Sequence, residues 1–380
     1  MAHKMLHNPF PVGTYQGSEY FCDRQNETAR LIENIRSGNS TSLIAIRRIG
    51  KTGLLQHTLN QLPNDIKGIY IDILETESLS GFLNKLATSL LHSAPEKSSF
   101  GKKIWSIIRN IRPVISFDAL TGAPQASFDL KQNDVEMNID TIFQFLDQQS
   151  FKTVIVIDEF QQITTYPERN TDAWLRTRMQ QMRNVVFIFS GSQQHLMTEL
   201  FTSPNRPFFR SASMLKLEKL DFETYRGFIV MQFNRFHKEI SPELTADILH
   251  WGNVHTYYIQ QICNRVFAAT PRQVTENLWK QQAYELLKEQ EIVFFNYRNL
   301  LTNHQWQLLK AIAREDKVYH PSGRQFMTKY GLPSSASVLR SLEALIRYQL
   351  VYTDFHSEKG LYYSVYDVFF QRWCNEISIY

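Results

Sequence analysis

Ser42 to Leu59, SLIAIRRIGKTGLLQHTL, decides how the rest of the chain is read. Ser42 to Ile46 is an apolar run of strand length, and Thr52, Leu54, Leu55, Thr58 and Leu59 then recur at helical spacing, so Arg47 to Gly50 form the turn between a buried strand and a helix. That turn ends in Gly50-Lys51-Thr52. Backbone N–H groups at a helix N-terminus point at an anion, a lysine reaches phosphate oxygens, and a hydroxyl can ligate Mg²⁺. Arg47, Arg48, Ile49, Gly50, Lys51, Thr52 and Gly53 are therefore candidate phosphate-binding residues. The first glycine of the usual G-x-x-x-x-G-K-[ST] pattern is Ala45, which is compatible only with a negative φ and room for a methyl group.

A second stretch points to the same crevice. Thr153 to Phe160, TVIVIDEF, is a β-branched run continuous enough for a central parallel strand, delivering Asp158 and Glu159 at its carboxyl end. Ligand sites of open parallel sheets lie at the carboxyl ends of strands, where the loop also sits. Asp158 with Thr52 is the candidate Mg²⁺ pair, and Glu159 is the candidate for orienting a water against a terminal phosphate. The alternative is that these acids cap the next helix.

At 380 residues the chain suggests two or three domains. Its 43% hydrophobic and 21% charged content is ordinary for a globular protein, and a net charge of +4 permits nucleic acid without demanding it. Cys22, Cys263 and Cys374 are far apart with no C-x-x-C spacing, which argues against a zinc site or disulfide framework and for a reducing cytoplasm. No apolar run reaches the roughly 18 residues of a membrane span, so no membrane partner is expected.

Asn8 to Tyr20 is rich in Pro, Gly, Tyr and Ser and reads as an extended arm. A helix follows, with Asp23 at its N-cap and Gly38 ending it. Phe21 and Arg24 are candidates for lying beside a base, against the reading of Phe21 as a hydrophobic staple. IYIDIL (69–74) is the next strand, then a helix over 80–93. Between 97 and 130 lie a basic helix with Lys102, Lys103, Arg109 and Arg112, which fits a solvated face, and a β-hairpin. Val185 to Phe189 is a further buried strand ending in Ser190-Gly191-Ser192-Gln193; Ser190, Ser192 and Gln193 could bond a phosphate or attacking water, or simply form a turn. Arg206 and Arg210, in the Pro-rich loop beyond, are candidate phosphate-sensing arginines. From 221 to about 288 the pattern is helical, and from Leu301 three helices followed by a β-hairpin have the winged-helix form.

YFCDRQNE, LIAIRRIGKTGLL, VIVIDEFQQI, FSGSQQHLM, HTYYIQQI and the closing YDVFFQRW resemble, in that order, the prokaryotic ATPases of the AAA/STAND type, in their archaeal-type ATPase-domain branch. The resemblance implies an α/β fold: a P-loop parallel-sheet core (20–217), preceded by the arm (1–19), a helical lid (218–290) and a C-terminal winged helix (291–380). It also implies ATP or ADP bound between core and lid. Two functions follow as expectations. One is a nucleotide-dependent switch with slow Mg²⁺-dependent hydrolysis, carried by Lys51, Glu159, Ser192 and Arg206 and read by an unknown protein partner. The other is a DNA-binding winged-helix regulator in which nucleotide is mainly structural. In its third helix Val338, Leu339, Leu342, Leu345 and Ile346 are expected to face inward, leaving Ser335, Arg340, Glu343 and Arg347 as a thin basic face.

Overall fold

The structure, a computed structural model, describes residues 6–93, 97–111, 113–118, 120–128 and 132–376. It divides into two compact units, one of Arg24–Glu218 and one in which the residues up to Asp23 join those from Lys219 onward.

The first unit contains, in order, α1 (Gln25–Arg36), β1 (Thr41–Ala45), α2 (Lys51–Asn60), β2 (Ile66–Asp72), α3 (Leu79–Ser93), α4 (Ser99–Asn110), β3 (Val114–Phe117), β4 (Pro124–Ser127), α5 (Gln132–Asp147), β5 (Lys152–Asp158), α6 (Thr171–Gln181), β6 (Val185–Gly191), α7 (Gln194–Thr202) and β7 (Ser213–Leu217). Five strands form a parallel sheet in the order β2-β5-β6-β1-β7. The burial pattern explains that order. β1 and β6 are buried at every residue and β5 at every residue after Lys152, as strands covered on both faces must be. β2 and β7 carry exposed residues, Lys67 and Asp72 on one and Ser213, Met214 and Lys216 on the other, and take the edges. Ile69, Ile71, Ile155, Ile157, Phe187 and Phe189 anchor the core under α3 and α5.

The expected N-cap at Asp23 is displaced by one residue. Asp23 and Arg24 both adopt left-handed backbone (φ 56° and 69°), and Arg24 occupies the cap position without a side-chain cap bond. The cause is the Arg24 guanidinium: it is buried, paired with Glu27 at 2.8 Å and bonded to the carbonyl of Glu218 at 2.7 Å. In the insertion, α4 turns Ile104, Trp105 and Ile108 inward and leaves Lys102, Lys103 and Arg109 exposed; Arg112 lies outside the described residues.

The second unit continues with α8 (Phe222–Arg235), α9 (Pro242–Trp251), α10 (Thr256–Ala269), α11 (Glu276–Leu300), α12 (Asn303–Arg314), α13 (Arg324–Tyr330), α14 (Ser335–Arg347), β8 (Val351–His356), β9 (Gly360–Val365) and α15 (Val368–Glu376). α12 to α14 with the β8–β9 hairpin make the winged helix, and Val318 adds a bridge to Tyr363. No break separates this part from the preceding helices. α11 has no Gly or Pro to stop it and runs through residue 290, and Phe294 on it packs against Phe370 and Trp373. One core spans both parts. In α14, Leu339 is 46% exposed rather than inward, because Val338 and Leu342 already fill the buried stripe one step away around the helix.

The N-terminal stretch is anchored in the same unit instead of standing off as an arm. Phe10 is buried against Phe233 and Phe267, Asn8 and Asn264 exchange bonds with the carbonyls of Asn264 and Phe10, and Glu19 pairs with Arg235 at 2.6 Å. Two aromatic side chains, Phe10 and Tyr20, supply burial that the Pro- and Gly-rich composition conceals. Among the described residues, no helix is long and apolar enough to cross a membrane.

Candidate functional site

The site stands at the carboxyl ends of β1, β6 and β5, which are neighbours in that order. Because β6 lies between the strand feeding the loop and the strand bearing the acids, its own carboxyl end projects between them. Ala45 is the buried last residue of β1, paired with Leu217, and its φ is not positive, so the methyl group meets the condition under which alanine can replace glycine. Arg48 and Gly50 carry the positive φ values of the turn, 63° and 97°. Gly50 is the N-cap of α2 and no side chain caps that helix, which directs its first backbone N–H groups outward as an anion cradle.

Lys51 is 8% exposed and lies between two carboxylates, 2.8 Å from Asp158 Oδ1 and 3.1 Å from Glu159 Oε1. Thr52 Oγ1 donates to Asp158 Oδ2 at 3.0 Å, which joins the two candidate Mg²⁺ ligands. Ser190 Oγ donates to Asp158 Oδ1 at 2.8 Å, and Ser192 donates to Glu159 Oε2 through Oγ at 2.8 Å and through its backbone N–H at 3.3 Å. Side chains of successive strand residues point to opposite faces, yet both acids converge on Lys51. β5 ends at Asp158, and Glu159 turns into left-handed backbone at φ 56°, which re-aims its side chain.

Burial works to raise the pKa of Asp158, but the Lys51 charge and the bonds from Lys51, Ser190 and Tyr70 outweigh it and hold the carboxyl below the usual range. Glu159 follows the same balance, with burial opposed by Lys51, Gln161 and Ser192. Both are ionised at neutral pH, and with Lys51 they form a cluster of net charge −1. Such depressed groups stabilise the fold above the unfolded carboxylate pKa of about 4, and that contribution is lost as pH falls through their lower folded values. In thermal melts, Asp158→Asn should therefore be less stable than the parent at pH 7, with the gap closing below about pH 4; an equal gap at both pH values would mean that Asp158 carries no charge in the fold.

A family model described as an ATPase domain predominantly from Archaea matches residues 21–262. The chain belongs to that ATPase family. A second model, described as a probable winged helix domain, matches residues 292–376. No curated protein sequence matches. Among solved structures, the Walker-type ATPase of Pyrococcus abyssi is similar over 97% of this chain and 99% of its own, with a TM-score of 0.66 at 17% identity. The ORC2 protein of Aeropyrum pernix, solved as ADPNP-ADP complexes, is similar over 94% of this chain and 92% of its own, with a TM-score of 0.57 at 13% identity. At these identities the likeness is one of fold.

In this ATPase-family chain Arg206, Arg210 and Arg24 make their contacts outside the Lys51 cluster. Arg206 is held by Glu199, seven residues before it, through Nε at 2.9 Å and a second bond. Arg210 stacks on Phe209 at 5.1 Å. Phe21 meets Tyr15 edge-on at 5.6 Å, and Arg24 is committed to Glu27 and Glu218. Gln193 is the uncapped N-cap of α7, Arg47 is half-buried, Arg48 is exposed and Ile49 is buried.

Three residues of the site escape a linear reading. Tyr70 on β2 donates to Asp158 Oδ2 at 2.8 Å, and burial together with that carboxylate raises its pKa. Tyr70 and Asp72, two apart in an otherwise apolar strand tip, are the signal that could have exposed it. Gln161 donates to Glu159 Oε2 at 2.5 Å. Gly191 leaves Gln161 its space: a Cβ there would stand 2.2 Å from Gln161 Oε1 and 2.5 Å from Met197 Cγ. Gly191→Ala should displace Gln161 and loosen Glu159, costing about 1–3 kcal/mol by urea denaturation, as overpacking does; unchanged stability would show that Gln161 has somewhere else to go.

Proposed function

We propose that this chain is a nucleotide-dependent switch that binds ATP and Mg²⁺ at the Gly50–Thr52 turn and hydrolyses ATP slowly. The observation that carries this reading is the convergence of Lys51, Thr52, Asp158, Glu159 and Ser192 at neighbouring strand ends. Thr52 and Asp158 offer two oxygen ligands, which suits Mg²⁺, commonly held by one or two protein oxygens with substrate phosphates completing its shell. Bound there, the ion would neutralise phosphate charge. The α2 N–H groups and Lys51 would hold phosphate oxygens, and Glu159, fixed by Gln161 and Ser192, would orient and polarise the attacking water.

The switch character rests on Lys51. Its ammonium is already engaged by both carboxylates, so taking a phosphate means exchanging partners, and binding rearranges the residues that later act on the bound molecule. Calorimetry with ATP in the presence and absence of Mg²⁺, followed by single-turnover hydrolysis, tests the proposal. A folded protein that binds no ATP, or whose binding ignores Lys51, would sink it.

The exposed face of α14 supports a role in packing or protein contact more than in DNA binding. Between Arg340 and Arg347 it presents Glu343, with Leu339 beside them. Duplex DNA titrated at low salt checks this, because phosphate-driven affinity would be large there and fall steeply as salt rises.

A further inference from the structure

At the amino end of the sheet, away from the Lys51 cluster, lies a cavity of about 410 Å³. Ser40 just before β1, Val185 opening β6 and Ser213 opening β7 form part of its lining. β6 spans about 20 Å from there to Gly191, so the two places are separate sites. The volume is in the range of small-molecule clefts.

The lining is asymmetric in charge: Arg176 and Arg210 contribute to it, and no Asp or Glu does. Arg176 projects from α6, and its terminal nitrogens reach the Gln180 amide oxygen at 2.6 and 3.0 Å in the amide orientation that satisfies both groups. Its Nε is buried without a hydrogen-bond partner, and burial lowers its pKa from the ordinary arginine value. Arg210 is held in left-handed backbone at φ 52°, fixed by its N–H to the carbonyl of Phe201 at 3.0 Å. Among the described residues neither guanidinium has an ion-pair partner. Phe187, Phe208 and Met179 close the cavity from below but are themselves buried, so the surface it offers is mainly polar.

We propose that this cavity binds a small phosphate monoester through its phosphate head, taken by Arg176 and Arg210. Arginine's planar fork matches phosphate oxygens, and a monoester's charge of about −1.5 to −2 at pH 7 balances two guanidinium groups where a monocarboxylate leaves one unanswered. The site does not depend on the nucleotide reading.

Phenyl phosphate titrated by calorimetry into the full chain, with excess ADP present to occupy any second phosphate site, tests the assignment. One-to-one binding is expected, weakened about tenfold or more in Arg210→Gln and abolished in Arg176→Gln/Arg210→Gln, since each charge-assisted bond is worth a factor of that order. Arg210 is exposed, so its single variant keeps the fold and remains informative if the double variant melts early. Phenylacetate should bind about tenfold more weakly than phenyl phosphate. The inference is overturned by unchanged affinity in Arg210→Gln, by equal affinity for the two probes, or by the absence of saturable binding to the parent chain.

Discussion

Glu159→Gln should bind Mg-ATP about as tightly as the parent chain and hydrolyse it roughly 10² to 10⁴ times more slowly, the usual contribution of a positioned general base. The expectation rests on the environment of the side chain. Glu159 Oε2 accepts from Gln161 Nε2 and from both donors of Ser192, while Oε1 faces Lys51. Glutamine keeps one acceptor but turns an NH₂ toward groups that are themselves donors. The Ser192 hydroxyl and, by an amide flip, Gln161 can reverse their roles, but the Lys51 ammonium and the Ser192 N–H cannot, so local order should weaken by about 1–3 kcal/mol as well. Single-turnover hydrolysis beside a binding isotherm separates the two effects. Parental turnover in the variant would reduce Glu159 to a structural residue at the end of β5.

Lys51→Ala should have the larger thermodynamic effect. It removes the side-chain cation of the Gly50–Thr52 turn, and nucleotide binding should fall below detection by calorimetry. It also leaves Asp158, 2% exposed, and Glu159 side by side without their shared counter-charge. Losing one partner of a buried charge pair typically costs about 3–5 kcal/mol. Burial and mutual repulsion would then push the two carboxyls above their usual range, so the variant should gain stability as pH is lowered from 7 to 4, a window in which the same acids give the parent no such gain. Melts across pH 4–7 check this, and a variant with parental stability and the parental pH trend would show that Lys51 does not balance these acids.

The parts of the fold that a sequence can announce are those made by uninterrupted apolar runs. Val154 to Ile157 and Val185 to Phe189 are buried at every position, as interior strands are, and the strands β1 and β5 bring Lys51 and Asp158 to the same, carboxyl, end of the sheet. What stayed hidden depends on partners distant in sequence or on backbone geometry. Tyr70 meets Asp158 across 88 residues, and Arg24 meets Glu218 across 194. Glu159 reaches Lys51 only because one residue takes a left-handed turn, and Gly191 matters through an atom it lacks. Periodicity carries none of that information. It also passes over α11, whose register gives no sign of a boundary at 290 because there is none in the packing.

The bond from Arg24 to the carbonyl of Glu218 has a mechanical meaning. Arg24 and Glu218 are the first and last residues of one compact unit, so the bond closes that stretch of 195 residues into a loop on itself. A unit clasped at its two ends cannot fray from either of them without first breaking a buried guanidinium contact.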